Sequence, residues 1–369
     1  MEKNKKISII TPIFFGSGTG AATYYQLLLQ SLQQYPLDFR VFSEKAKEQQ
    51  CSQEKWQNFE YVSLLPQRSG KDKQLLRDIW KYILQNIKYF QLRKEIKPQK
   101  CNIFLVHTSF YNQINFFYLV INRLTSLYKD INFIADVRDV LLPQKEIPQL
   151  NKYKLVISCS KNITQYLISG GIKSKKIRYI PIPQEKIFVA DRFTDETLEK
   201  FLLTDQPYIF YAGMLKESKG VDLLLKIFIE EISPKYPQLK LVLSGFLKTQ
   251  NPVVLEGLKA RNVVYLGNAP RSEVLALIKG ASLCVNLSPV ESISRFALEA
   301  IALKRPVVLP PNIPEYMEHC PEFVATSRDP KVLATQMIRI MEAEQTADYP
   351  IEIHEPERVA AQYYELFCE

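Results

Sequence analysis

The stretch SPVESISRFALEA (residues 288–300) reads as a loop running straight into a helix, and its reading decides how the second half of the chain is understood. Phe296, Ala297, Leu298, Ala300, Ile301 and Ala302 form a largely apolar run that stops at Lys304, Arg305 and Pro306, which predicts a helix starting near Ile293. The first N–H groups of a helix have no intrahelical acceptor, and the helix dipole adds partial positive charge there. Ser292, Ile293, Ser294 and Arg295 therefore form an anion-binding junction of a size suited to a diphosphate. Glu291 precedes the helix and Glu299 lies inside it, eight residues on. One carboxylate can face the reacting end of an elongated ligand while the other reaches a hydroxyl further along. Loop-to-helix junctions with two acids are common, so by spacing alone an ordinary junction explains the pattern as well.

Outward from this stretch, short apolar runs alternate with longer amphipathic ones. In the first half these are ISIITPIF, FRVFS, NIFLVH, INFIADV and KLVISCS, with helical stretches from about residues 20, 73 and 112. The rhythm restarts after residue 205 with YIFYAGM, LKLVLSG, VVYLG, LCVNLSP and PVVLP, separated by helical patterns near 220, 253, 271 and 293. This is the signature of strand–helix–strand units and parallel sheets, and it predicts two doubly wound α/β domains. The joint falls near IRYIPIPQEKIF (177–188), which sets boundaries of 1–184 and 185–355. The final helix, within 356–369, is expected to cross back to the first domain.

Open α/β sheets bind ligands outside the carboxyl ends of their strands. The segments at those positions are GSGTGAA (16–22), VHTSF (106–110) and DVRDVLLP (136–143), then AGMLKESKG (212–220), LSGF (243–246) and LGNAP (266–270), besides the two-glutamate stretch. Gly18 and Gly20 suit close backbone approach to a phosphate or sugar, and a tight strand-to-helix turn explains them equally well. Gly213 and Gly245 occupy the corresponding turns of the second half. Lys219 stands just before a glycine and a helix, a place unfavourable to a cation unless it meets an anion; a solvated surface lysine is the plainer explanation.

The 369 residues carry 48 Lys+Arg against 39 Asp+Glu. Residues 1–185 hold 28 basic and 14 acidic side chains, the remainder 20 and 25. The first half is therefore the one expected to meet something anionic, and no nucleic-acid motif accompanies it. Six scattered cysteines and three histidines lack metal-ligand spacing, so no metal is expected and free thiols in a reducing cytoplasm fit best. The opening MEKNKKISIITPIFFGSGTG reads as a first strand entering a glycine-rich turn rather than as a signal peptide, and no run of 18 apolar residues occurs. Segment 71–100 carries nine basic residues against three acids, with Leu75, Leu76, Ile79, Trp80, Ile83, Ile87 and Phe90 at helical spacing. It suits either a helix covering the first sheet or one lying on an anionic membrane surface.

AGMLKESKGVDLLL together with VVYLGNAPRSEVLALIKGASLCVNLSPVESISRFALEAIALKRPVV closely resembles the nucleotide-binding domain of retaining GT-B glycosyltransferases, the glycosyl transferases group 1 family. The resemblance is strongest from about 208 to 310 and holds only in outline before that. It implies a GT-B fold, two Rossmann-like domains facing a cleft. It also implies that Lys219 holds the donor diphosphate, Glu291 contacts the donor sugar near the reacting carbon, and Glu299 binds the ribose hydroxyls. The 292–295 amides meet the phosphates, Gly18 and Gly20 approach the donor from the other domain, and His107, Arg138 and Asp139 line the acceptor side.

Two departures accompany the match. Met214 stands where the family usually has arginine, with Lys216 or Arg295 as substitutes, and Ser292-Ile293-Ser294 replaces Gly-Phe-Gly. The expected activity is transfer of a hexose from a nucleotide-diphosphate sugar to a sugar or lipid-linked hydroxyl, with retention and without a cofactor, in a cytoplasmic protein of polysaccharide, glycolipid or cell-envelope assembly. A catalytically silent sugar-nucleotide-binding or scaffolding protein is the alternative, and an epimerase or phosphorylase of the same fold a third.

Overall fold

A computed structural model describes residues 4–11, 20–44, 58–64, 86–87, 89–97, 100–107, 123–138 and 144–369. Contacts divide the chain into two compact units, Met1–Pro183 with His354–Glu369, and Gln184–Ile353.

The first unit is built on β1 (Lys5–Ile10), β2 (Leu37–Glu44), β3 (Phe59–Leu64), β4 (Ile103–His107), β5 (Asn132–Val137), β6 (Leu155–Ser158) and β7 (Ile177–Tyr179). All pair in parallel, in the order β3-β2-β1-β4-β5-β6-β7. The order reverses between β1 and β4. Runs such as Ile7–Ile10, Phe104–Val106 and Leu155–Ser158 are buried without interruption, which is what a parallel sheet covered on both faces demands. Helix Gly20–Leu32 buries Tyr24, Tyr25, Leu28, Leu29 and Leu32 on one face. The helix Pro356–Cys368 packs against it, with Tyr35 stacked on Tyr364 and Lys5 Nζ donating to Phe367 O.

The second unit repeats the plan with β8 (Tyr208–Ala212), β9 (Lys240–Ser244), β10 (Val263–Tyr265), β11 (Leu283–Val285) and β12 (Val307–Val308), parallel in the order β10-β9-β8-β11-β12. Here the reversal falls between β8 and β11. One local expectation is corrected. The helix placed near Ile293 spans Arg295–Ala302, because Ser294 serves as its N-cap. The helix from about 220 runs as α-helix only over Val221–Ile227 and continues as a π-turn over Phe228–Ile232, closed by Ser233 N–H to Phe228 O at 2.8 Å. Residues 71–85 of the basic segment lie outside the described residues. Among the described residues no helix is long and apolar enough to cross a membrane.

A buried ionic cluster ties the first unit together. Asp136, fully buried at the end of β5, accepts from Tyr25 Oη at 2.6 Å and from Arg138 Nη2 and Nε at 2.6 and 3.0 Å. The Arg138 guanidinium lies over the Tyr24 ring, and Tyr24 Oη meets Tyr363 Oη at 2.6 Å. Burial pushes the Tyr24 and Tyr363 hydroxyls well up, so both stay neutral. Burial works most strongly against the Arg138 charge, but Asp136 and the surrounding tyrosine oxygens together outweigh it and the guanidinium is held above its usual range. An intact buried pair contributes little net stability, whereas removing one partner strands the other charge. Arg138→Leu is therefore expected to lower stability by about 3–5 kcal/mol, read as a fall in the urea midpoint of the first unit; a loss below about 1 kcal/mol would show that the pair behaves as an exposed one.

Candidate functional site

Strand order explains what the second unit brings together. Segments that leave β8 and β11 emerge side by side at the reversal point, where the crevice of a doubly wound sheet lies. Lys219 ends the 3-10 turn Glu217–Lys219 after β8, and Glu291 lies in the loop after β11. Their side chains meet, with Lys219 Nζ donating to Glu291 Oε1 at 2.5 Å. The residues are 72 apart in sequence, and both side chains keep partial exposure, 29% and 17%. A lysine ammonium has three donors, so this pairing leaves two for an anion in the crevice.

The two loops are pressed together by backbone geometry. Gly220 has φ 71°, and a Cβ added there overlaps Leu287 O, so only glycine lets the lysine-bearing turn lie against the glutamate-bearing loop. Ser288 Oγ, fully buried, lies 3.3 Å from Ser218 O and stitches the same junction. Gly245, with φ 138°, is pinned in another way. A Cβ on it overlaps Gly213 O, while Gly213 N–H donates to Ser244 O at 2.9 Å and Gly245 N–H to Gly267 O at 2.7 Å. Gly245, read from the sequence with Gly213 as a donor-side residue, is thus required by the packing of its strand end against the neighbouring one, whereas a Cβ on Gly213 would meet the Tyr211 hydroxyl.

The junction at the start of the 295–302 helix is capped from within. Asn286 Nδ2 donates to Ser294 Oγ at 2.6 Å, and that oxygen accepts from Ala297 N–H at 3.1 Å. Ala297 N–H, in the first turn of the helix as it stands, is therefore occupied by the protein, and that turn begins two residues later than the sequence suggests. Ser292 and Arg295 are half-buried, Ile293 and Ser294 buried.

Glu299 faces inward and is 4% exposed, yet it is not alone. Arg271, the first residue of helix Arg271–Gly280, donates from Nη1 to Glu299 Oε1. The same guanidinium donates from Nη2 and Nε to Glu185 Oε1 at 2.5 and 3.1 Å. Burial works against the Arg271 charge, and Glu299 and Glu185 outweigh it, raising the group above its ordinary range. Arg271 and Glu185 were not singled out from the sequence; a basic residue at a helix start, where the dipole disfavours it, was the available signal. Tyr211 was also missed. It lies buried at the end of β8, and its hydroxyl is pushed up by burial first and by Glu291 second. That hydroxyl donates to Met214 O at 3.1 Å, which fixes the turn where the expected arginine is absent.

The first unit offers less. Gly18 and Asp139 lie outside the described residues. Gly20 is the first residue of its helix, and His107 ends β4 in register with Asp136. Arg138 is engaged by Asp136 and 9% exposed. Among the described residues no group of three or more His, Cys, Asp and Glu is arranged to hold a metal ion.

Comparison with known proteins accords with this geometry. Residues 206–343 match the family described as Glycosyl transferases group 1, as the sequence resemblance implied. No curated protein matches the chain by sequence. Among solved structures, the chain is similar to a glycosyltransferase from Rickettsia africae, at 14% identity and TM-score 0.72, covering 99% of this chain and 98% of that one. It is similar to Anabaena HepE, solved with UDP and glucose, at 14% identity and TM-score 0.71, covering 99% and 100%. Sucrose-phosphate synthase from Thermosynechococcus elongatus aligns at 17% identity and TM-score 0.73, covering 99% and 98%. At such identities the likeness establishes the fold, which is GT-B.

The close approach at Gly220 is directly testable. Gly220→Ala is expected to cost at least about 2 kcal/mol, from left-handed backbone strain plus the overlap with Leu287. The thermal midpoint reads it; an unchanged midpoint would mean that the lysine turn is not clamped against the 286–291 loop.

Proposed function

We propose that this chain is a retaining glycosyltransferase that moves a hexose from a nucleotide-diphosphate sugar to a hydroxyl acceptor in polysaccharide, glycolipid or cell-envelope assembly. The observation that carries the reading is the 2.5 Å pair of Lys219 Nζ and Glu291 Oε1 at the reversal point of the second sheet, inside the segment that matches the family. Cleaving the bond between the anomeric carbon and the diphosphate leaves a cation-like sugar and an anionic leaving group, so the chemistry is chiefly electrostatic. Lys219, held by Glu291, is preorganised to neutralise the diphosphate. Glu291 contacts the sugar near the reacting carbon, and the amides that open the 295–302 helix meet phosphate oxygens. The acceptor oxygen bonds to the anomeric carbon on the face the diphosphate leaves, and its proton passes to a leaving-group oxygen. Glu299 binds the ribose hydroxyls.

HepE, solved with UDP-glucose as well as with UDP, supports a uridine donor as the first to test. His107 and Asp139 are proposed for the acceptor side, and Arg138, engaged by Asp136, is left to the buried cluster. The surplus of positive charge in residues 71–100 supports a peripheral position at an anionic membrane face, where lipid-linked acceptors reside. A second reading, a sugar-nucleotide-binding protein without turnover, is favoured by one feature, Met214 in the place of a diphosphate-binding arginine.

Binding and slow hydrolysis across a panel of UDP-, GDP- and ADP-linked hexoses separate the two. The transferase reading expects one donor to be bound and hydrolysed by the wild type, with turnover lowered roughly 100- to 1000-fold in Glu291→Gln and Lys219→Ala. Tight binding with no hydrolysis, unchanged by Glu291→Gln, would support the silent reading, and failure to bind any donor would overturn both.

A further inference from the structure

We infer that Arg271 is a positioning residue for nucleotide selection: anchored by Glu185, it holds the Glu299 carboxylate by one oxygen so that the other meets the ribose diol. The inference rests on the reading of Glu299 as the ribose-binding carboxylate.

A carboxylate distinguishes a vicinal diol from a deoxy sugar only if its plane is fixed, because an untethered side chain turns to satisfy whichever hydroxyl remains. Glu299 is fixed from both ends. Its backbone lies inside the 295–302 helix, and its Oε1 is occupied by Arg271 Nη1. Oε2 makes no hydrogen bond among the described residues, so the acceptor capacity left to a ligand is concentrated on one atom.

Arg271 is equipped for this in a way that lysine is not. Its planar fork spans two carboxylates at once, Nη1 to Glu299 and Nη2 with Nε to Glu185, so the position of one acid is transmitted to the other through a rigid group. The anchor is itself secured. Lys279, at the other end of the 271–280 helix, donates to Val189 O at 2.6 Å and pairs with Asp191, so the 185–191 segment is fastened to that helix at both ends. The environment is also graded. Glu299 is buried, whereas the Arg271 and Glu185 side chains keep 39% and 40% exposure, which places the open side of the cluster where a soluble ligand can enter.

This arrangement differs from the sealed cluster of the first unit. There the arginine and its carboxylate are closed over by tyrosines. Here the arginine side chain keeps 39% exposure and one carboxylate oxygen is left over.

The test is the ratio of dissociation constants for a ribonucleotide and its deoxy form, measured by titration calorimetry on the full chain with UDP against 2′-deoxy-UDP, and likewise for GDP and ADP. Losing one hydrogen bond to a charged carboxylate predicts that the wild type prefers the ribose form by about tenfold. Glu185→Gln keeps Glu299 paired and removes only the outer anchor, and is expected to reduce the preference to about threefold. Arg271→Lys, which retains charge without the fork, should bring it close to one. Circular dichroism checks that each variant is folded, and because Glu185 is half-exposed that substitution keeps the test valid if changes at Arg271 disturb folding. Equal weakening of both nucleotides, with the ratio unchanged in Glu185→Gln and Arg271→Lys, would overturn the inference and leave the cluster a packing feature. Failure of the wild type to bind any of the three diphosphates would instead sink the proposed function, and this inference with it.

Discussion

The parallel pairing of β11 against β8, Leu283 beside Ile209 and Cys284 beside Phe210, is the constraint on which the candidate site depends. Chain order separates these strands by about 70 residues, and only the crossover that inserts β9 and β10 on the far side of β8 brings β11 back to its near edge. Once the two strands are neighbours, the turns that leave them must share one space. Gly220 sets how close they come, and Lys219 and Glu291 are then held at ion-pair distance. Charge complementarity alone contributes little at a half-exposed position, so the pair is a result of the backbone arrangement rather than its cause.

Each unit holds an arginine–carboxylate cluster near a strand or helix end, Asp136 with Arg138 and Glu299 with Arg271, and these two are finished differently. Around Asp136 and Arg138 the partners are tyrosine hydroxyls and a ring face, drawn from the 20–32 and 356–368 helices as well as from the strand end. That cluster specifies which helices pack on the sheet. Around Glu299 and Arg271 the polar groups come from the middle of one helix, the start of another and an extended segment, and the cluster is buried on one side only. Low surroundings polarity strengthens both, but only the second keeps donors and acceptors available to another molecule.

The fold was legible because nearly every strand is a short unbroken apolar run and nearly every helix an amphipathic one, patterns that survive without tertiary information. The Lys219 and Glu291 positions were legible for the same reason: each sits at a strand-to-helix turn whose location the pattern fixes. What the pattern does not carry is any property created by contacts across the chain. Ser294 becomes the cap because Asn286, eight residues earlier, is folded back to donate to it, and this moved the helix start. Arg271 reads as one basic residue among 48 until folding sets it between Glu185 and Glu299, 86 residues before it and 28 after. Gly245 illustrates the converse. Its place at a strand end was visible, but the Gly213 oxygen lying where its Cβ would be is a fact of neighbouring strands, and a glycine needed for packing looks in sequence like one needed for a ligand.

The 356–368 helix has a consequence for how the chain is made. It belongs to the first unit, where Tyr363 and Tyr364 meet Tyr24 and Tyr35, but it follows the entire second unit in sequence. Synthesis delivers residues from the amino end at roughly 5–20 per second, and a unit contiguous in sequence closes as it emerges. The second unit is contiguous, whereas the first must wait on the ribosome with one flank of its leading helix uncovered until the trailing helix is released. The later-encoded half is therefore free to finish first, and the nascent amino-terminal half spends the interval as the more exposed species, the one on which chaperones and proteases would act.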